Sequence, residues 1–185
     1  MTAMNALKDA SWTIHLRLEK RLAVKQRFSE LSRYREHIAR LECFHSAVET
    51  EWRPLLESAL TDFQARRKAP LLANDLEAAG GAQIAGAAVP TVADTSSALG
   101  AFYVLEGATL GGQHLLPLVE AKLGFSAEFG ASYFASYGPD VQAMWKLFGA
   151  TVENHCTTPD TTACAIAAAR ATFLALETWL CGEQS

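Results

Sequence analysis

Apolar residues recur along this chain at helical intervals rather than in strict alternation. From Met4 to Leu22, Leu7, Ile14, Leu18 and Leu22 stand seven or four residues apart and share one helix stripe. A second helical pattern runs from Phe28 to Ala47 through Leu31, Tyr34, Ile38, Leu41 and Phe44, extending toward Trp52 until Pro54 interferes. Leu55 to Phe63 predicts a shorter helix, and Pro70 opens another through Leu76. Gly80, Gly81, Gly86 and Pro90 then make the stretch from Gly80 to Asp94 mostly loop.

Thr95 or Ser96 is placed to cap the next helix, which reaches Leu123 despite internal glycines and Pro117, with Gly124 as its C-cap. Gly130 to Pro139 is turn-rich. Helical spacing resumes at Val141, Met144, Trp145 and Phe148, and Thr157-Thr158-Pro159-Asp160 interrupts it. Alanine, the strongest helix former, dominates the last helix, Ala163 to Leu180. No run alternates as a strand should, so the expectation is an all-α fold in one domain over 1–185.

Composition narrows the function. Half of the 185 residues are hydrophobic, enough for one core, and 16 basic against 20 acidic residues leave a net charge of −4. The longest like-charge run is Arg66-Arg67-Lys68, which argues against a nucleic-acid partner. The apolar runs are broken before the roughly 18 residues of a membrane span, and no basic-then-apolar leader opens the chain. A soluble cytoplasmic protein is expected. Cys43, Cys156, Cys164 and Cys181 form no C-x-x-C pair and signal neither zinc nor a disulfide framework.

Two features carry chemistry. Lys8, Trp12, His15 and Glu19 form a second face on the first helix, presenting an imidazole with a carboxylate one turn later. Metal-bound histidines commonly donate their other N–H to such a carboxylate. Taken alone, the pair reads as an ordinary surface contact, and His37, His45, His114 and His155 read as surface or packing residues.

The second feature is Gly100-Ala-Phe-Tyr-Val-Leu-Glu-Gly107-Ala-Thr-Leu-Gly111-Gly112-Gln113. Each glycine costs about 1 kcal/mol against alanine in a helix interior. Gly100, Gly107 and Gly111 are seven and four apart, which lays bare backbone along one face. That face suits close approach of another helix or of a flat macrocycle; a phosphate loop is disfavoured by the missing G-K-[ST] end.

The segment Gly100 to Gln113 resembles the distal helix of bacterial heme oxygenases, in particular those associated with bacterial phytochromes, and Leu7 to Glu19 resembles the proximal helix of the same family. Pro70 to Gly80 and Ala171 to Leu180 resemble further family segments in the same order. The resemblance implies a monomeric fold with heme held between the proximal and distal helices. It implies His15 as iron ligand, Glu19 behind it, and Gly107 and Gly111 as the catalytic backbone on the distal side. Lys8, Tyr103 and Phe173 complete the implied heme-contacting set, with Tyr133, Tyr137 or Arg170 as candidate propionate anchors.

The implied reaction uses heme as cofactor and substrate, consumes dioxygen, and takes electrons from a ferredoxin or flavoprotein reductase. It yields biliverdin, carbon monoxide and ferrous iron, with a bacterial phytochrome as a candidate biliverdin acceptor. Ala108 stands where many relatives carry an aspartate, so proton delivery falls to water, with the Thr109 hydroxyl as a candidate helper. Two other functions fit the same sequence: a heme carrier that leaves its ligand intact, and a helical scaffold whose glycines only pack helices.

Overall fold

Side-chain caps rather than apolar periodicity set where three of the long helices, the first, the glycine-rich one and the last, begin. The computed structural model describes residues 2–182. They form α1 (Ala3–Leu22), α2 (Val24–Arg27), α3 (Leu31–Glu51), α4 (Arg53–Ala59), α5 (Phe63–Arg66), α6 (Ala69–Ala78), α7 (Thr95–Leu123), α8 (Ser132–Ala135), α9 (Val141–His155) and α10 (Pro159–Cys181), with a 3-10 turn at Gly138–Asp140. Among the described residues no strand forms, only isolated bridges at Ser126. The all-α expectation holds.

α7 is capped by Asp94 rather than by Thr95 or Ser96. Asp94 accepts from the Ser97 amide at 2.8 Å, and Ser97 Oγ accepts from the Asp94 amide at 3.0 Å, so both orphan donors are satisfied reciprocally. At the other end Gly124 adopts φ 73°, the left-handed cap anticipated from sequence. α10 starts earlier than its alanine run suggests. Thr158 and Thr161 form a second capping box with Pro159 at the first turn, so the cluster that closes α9 also opens α10. The predicted helix Leu55–Phe63 is split in two: α4 ends at Leu60, whose backbone is extended, and α5 restarts at Phe63.

α7 lies at the centre, packed on α10 along much of its length and on α8, α9 and α4 elsewhere, while α10 also packs on α1. α10 is long and apolar enough to cross a membrane by composition. Its buried residues Ala165, Ala169, Phe173, Leu176 and Leu180 belong instead to the core shared with α7 and α1. Thr2 caps α1 by accepting from the Asn5 amide at 3.2 Å, and Glu153 of α9 completes the cap by accepting from the Ala3 and Met4 amides at 3.0 and 2.9 Å. That contact fixes the entry of α1, and with it the face that carries His15.

Two histidines read as surface or packing residues are core residues. His37 and His45 are 3% and 2% exposed. His37 Nδ1 has no hydrogen-bond partner, and His45 Nε2 lies 3.5 Å from the Tyr133 hydroxyl. Burial lowers both imidazoles to about 3, helped by Arg27 and Arg40 at His37 and by Lys68 at His45.

Because the unfolded histidines titrate near the ordinary value of 6.5, the unfolded chain binds more protons than the folded one below that pH. The stability these neutral rings carry is therefore full above pH 6.5 and is lost as pH falls toward 3. Each contributes a slope of up to ~1.4 kcal/mol per pH unit. The expected result is a urea midpoint that drops steeply between pH 6.5 and 5, and about half as steeply in His37→Leu. A midpoint independent of pH over that range contradicts neutral burial.

Candidate functional site

α1 and α7 approach where the Tyr103 hydroxyl lies against Ser11. One turn beyond that contact α1 presents His15, and one and two turns beyond it α7 presents Gly107 and Gly111. Ser11 itself is tied to its own helix by a hydrogen bond to the Leu7 carbonyl at 2.7 Å. Both helices also pack on α10, so the two faces that sequence spacing singled out belong to elements joined through it.

His15 is partly exposed, and its Nε2 lies 3.4 Å from Glu19 Oε1. A carboxylate at that position can hold one ring nitrogen of an imidazole whose other nitrogen binds a metal. Phe173 from α10 meets the imidazole edge to face at 5.9 Å between centroids, and Trp12 flanks it at 5.6 Å. Phe173 is buried while Trp12 is 49% exposed, so the ring has a fixed wall on one side and an open apolar flank on the other. Lys8 is exposed on the same helix.

The four glycines of α7 do different work, and the grouping of Gly100 with Gly107 and Gly111 needs correction. A Cβ on Gly100 would lie 2.1 Å from the Ala165 carbonyl oxygen, so this glycine lets α10 touch α7. One on Gly112 would lie 2.9 Å from the Phe134 carbonyl. Both are packing glycines. A Cβ on Gly107 would meet only the Trp145 ring, at 3.8 Å, and one on Gly111 would meet nothing within 4 Å. Gly100 shares their angular position but lies farther back along the helix, where α10 covers that face; Ala108 and Gly111 are exposed.

The remaining candidates turn inward or away. Thr109 is buried and its hydroxyl donates to the Glu106 carbonyl at 2.7 Å, so it faces the core rather than the open side. Tyr133 is buried against His45, the Tyr137 hydroxyl donates to Glu106 Oε1 at 2.7 Å, and Arg170 Nη1 donates to the Ala10 carbonyl at 2.8 Å. None of the three is shown reaching the open face.

Sequence reading missed Trp145 and a buried charge cluster behind Gly107. Trp145 packs on Tyr103 at 5.4 Å and stacks on Phe148 at 5.9 Å, walling the glycine face. Glu106, 2% exposed, accepts from Arg66 Nη1 at 2.6 Å as well as from Tyr137. Arg66 is 1% exposed and Lys68 3%. The Lys68 ammonium sits 3.6 Å over the Tyr137 ring, and burial lowers it to about 8. Burial also pushes the Glu106 carboxyl up, against the pull of Arg66, Tyr137 and Lys68. The available signal was a lone glutamate in the apolar run Val104-Leu105-Glu106-Gly107-Ala108, which demands a cation once buried.

An imidazole beside a carboxylate on one helix and bare backbone beside aromatics on another are the groups that would suit a flat iron-bearing ring, the imidazole as a metal ligand and the aromatics as an apolar bed. Comparison with known proteins identifies the family. The family model described as heme oxygenase matches residues 1–181. A heme oxygenase of Xanthomonas campestris pv. campestris is 33% identical over 122 residues, 65% of this chain and 72% of that protein. Among solved structures, the NO- and CO-bound heme oxygenase from Neisseria meningitidis aligns with a TM-score of 0.87 at 24% identity, covering 97% of this chain and 90% of its own. Heme oxygenase from Leptospira interrogans aligns at 0.80 with 16% identity, covering 98% and 99%. With that family match spanning nearly its whole length, the chain belongs to the heme oxygenase family.

Proposed function

We propose that this enzyme holds heme between α1 and α7, with His15 on the metal and the Gly107–Gly111 backbone over the opposite face, and opens the ring to biliverdin, carbon monoxide and ferrous iron. The observation that carries this reading is the bare Gly107–Gly111 face of α7, where a Cβ would meet only the Trp145 ring at the first glycine and nothing at the second, together with a partly exposed His15 beside Glu19 on α1. Heme, once bound, supplies the metal that activates dioxygen and is itself the substrate oxidised.

The protein's own residues do the rest. Glu19 orients the imidazole. Phe173 and Trp12 give the ring an apolar bed, and Tyr103 and Trp145 bound the other side. Lys8 is placed on the His15 face to meet a propionate. The absence of side chains at Gly107 and Gly111 leaves the distal space narrow but unobstructed, with backbone carbonyls to hold water. Thr109 takes no part, because its hydroxyl is spent on the Glu106 carbonyl. Electrons come from an external ferredoxin or flavoprotein reductase, the protein works as a cytoplasmic monomer, and a bacterial phytochrome is the acceptor that the sequence resemblance suggests for the product.

Hemin titration followed by reductant and air tests the reading. The expected outcome is one hemin per chain and conversion of the Soret band into the broad absorption of biliverdin. A hemin complex that survives reduction in air unchanged marks a carrier instead, and absence of stoichiometric binding marks a helical scaffold.

A further inference from the structure

We propose that Arg66 is a positioning residue for the heme reaction: it holds the Gly107 stretch of α7 and Trp145 of α9 at one separation and so sets the clearance on the glycine side of the heme. The proposal rests on the functional reading above. Gly107 and Trp145 face each other, the tryptophan ring being the nearest group a Cβ on that glycine would meet. The residue before each is held by the same guanidinium. Arg66 Nη1 donates to Glu106 Oε2 at 2.6 Å, and Nη1 and Nη2 both reach the Met144 carbonyl at 3.3 Å.

The other edge of the fork is fixed from behind. Nε and Nη2 donate to the two Asp62 oxygens at 2.8 and 2.7 Å, and the guanidinium carbon lies 5.8 Å over the Phe148 ring, on which Trp145 stacks. Every nitrogen of Arg66 therefore has an assigned partner. Only a rigid planar fork can serve a carboxylate on one side and two further elements on the other; a lysine ammonium of similar charge lacks that geometry.

Stability is a poor reason for this arrangement. A buried ion pair is often no better than an apolar filling of the same volume, whereas it does specify one geometry. The geometry specified is that of the wall over the ring, and a misplacement of 1 Å at a reacting centre costs about 100-fold in rate.

The test replaces Arg66 by lysine, with 5-fluorotryptophan in place of the four tryptophans and the Trp145 fluorine line identified by its loss in Trp145→Phe. In the Arg66→Lys apoprotein the Trp145 line should shift or broaden while the other three stay. In the hemin-loaded protein turnover per bound heme should fall about 10- to 100-fold with hemin affinity kept within about threefold. Glu106→Gln, which can still accept from Arg66 and donate to the Tyr137 oxygen, should restore the line and recover most of the turnover that Glu106→Ala loses.

If Arg66→Lys does not fold, the pair Arg66→Met with Glu106→Met removes the buried pair together, leaves Asp62, which is 35% exposed, to water, and should move the same line. An unmoved Trp145 line in the folded variant, or parental turnover, overturns the positioning role. A parent protein that leaves hemin intact overturns the functional reading, and the two failures are distinguishable because the fluorine spectrum is read without heme.

Discussion

His15→Ala should fold and be unable to turn over heme. His15 stands off the buried stripe of Leu7, Ile14 and Leu18, and it is partly exposed, so its removal costs its contacts with Trp12 and Phe173 and an exposed pairing with Glu19. Substitutions at such sites usually stay within about 0.5 kcal/mol, and the thermal midpoint should move by only a few degrees. Activity is another matter. Losing even an outer partner of a metal ligand typically costs about 10–100-fold, so losing the ligand itself should cost at least about 100-fold in biliverdin formation.

Added imidazole, able to enter the vacated space beside Trp12, should restore part of the activity and return the hemin spectrum toward that of the parent. The measurement is turnover per bound hemin with and without imidazole, alongside circular dichroism. Normal turnover by His15→Ala in the absence of imidazole would remove the histidine from the site and the central assignment with it.

Much of this architecture was legible in the sequence because the signals were local. Periodicity fixed the existence and order of the long helices, and Gly124 marked the end of α7 because a left-handed cap needs glycine. Where the reading slipped, two local rules competed. Thr157-Thr158-Pro159-Asp160 carries breaker residues that interrupt α9, yet Thr158 and Thr161 form a capping box around Pro159, so the same residues begin α10. At α7 the choice among Asp94, Thr95 and Ser96 was decided by which residue has a partner three positions on, and Ser97 answers Asp94.

The site was half legible for a different reason. His15 and Glu19 lie on one helix, and their pairing follows from helical spacing alone. Arg66, Glu106 and Met144 come from three elements far apart in the chain, and no spacing rule links them. The run Arg66-Arg67-Lys68 gives no sign of which charges are buried, because α5 is only four residues long and ends in an extended residue at Arg67. Arg66 and Lys68 turn inward while Arg67 stays partly exposed and pairs with Glu49. Thr109 misled in the opposite sense: its hydroxyl chemistry suited the distal side, but its helical phase points it at the Glu106 carbonyl.

The two kinds of glycine in α7 predict opposite outcomes for one kind of substitution. At Gly100 even alanine places a carbon 2.1 Å from the Ala165 oxygen and 2.4 Å from its Cα, both backbone atoms that cannot swing aside. α10 must back away from α7 along the largest packing interface in the protein. Overfilling of this kind costs about 1–3 kcal/mol, so Gly100→Ala should lower the urea midpoint despite alanine's better helix propensity, and Gly100→Leu should prevent folding.

At Gly111 there is no neighbour within 4 Å, and leucine is a better helix former than glycine by several tenths of a kcal/mol. Gly111→Leu apoprotein should therefore be at least as stable as the parent. Its side chain, however, rises into the space assigned to the ring. An overlap costing about 1–3 kcal/mol there weakens hemin binding by roughly 5- to 150-fold, with turnover falling at least as far. Stability and hemin affinity measured on both variants separate the roles: Gly100 substitutions should cost fold, and the Gly111 substitution should cost ligand. If Gly111→Leu loses stability while whatever remains folded binds hemin normally, then the glycine face exists to pack another helix, and heme does not sit over it.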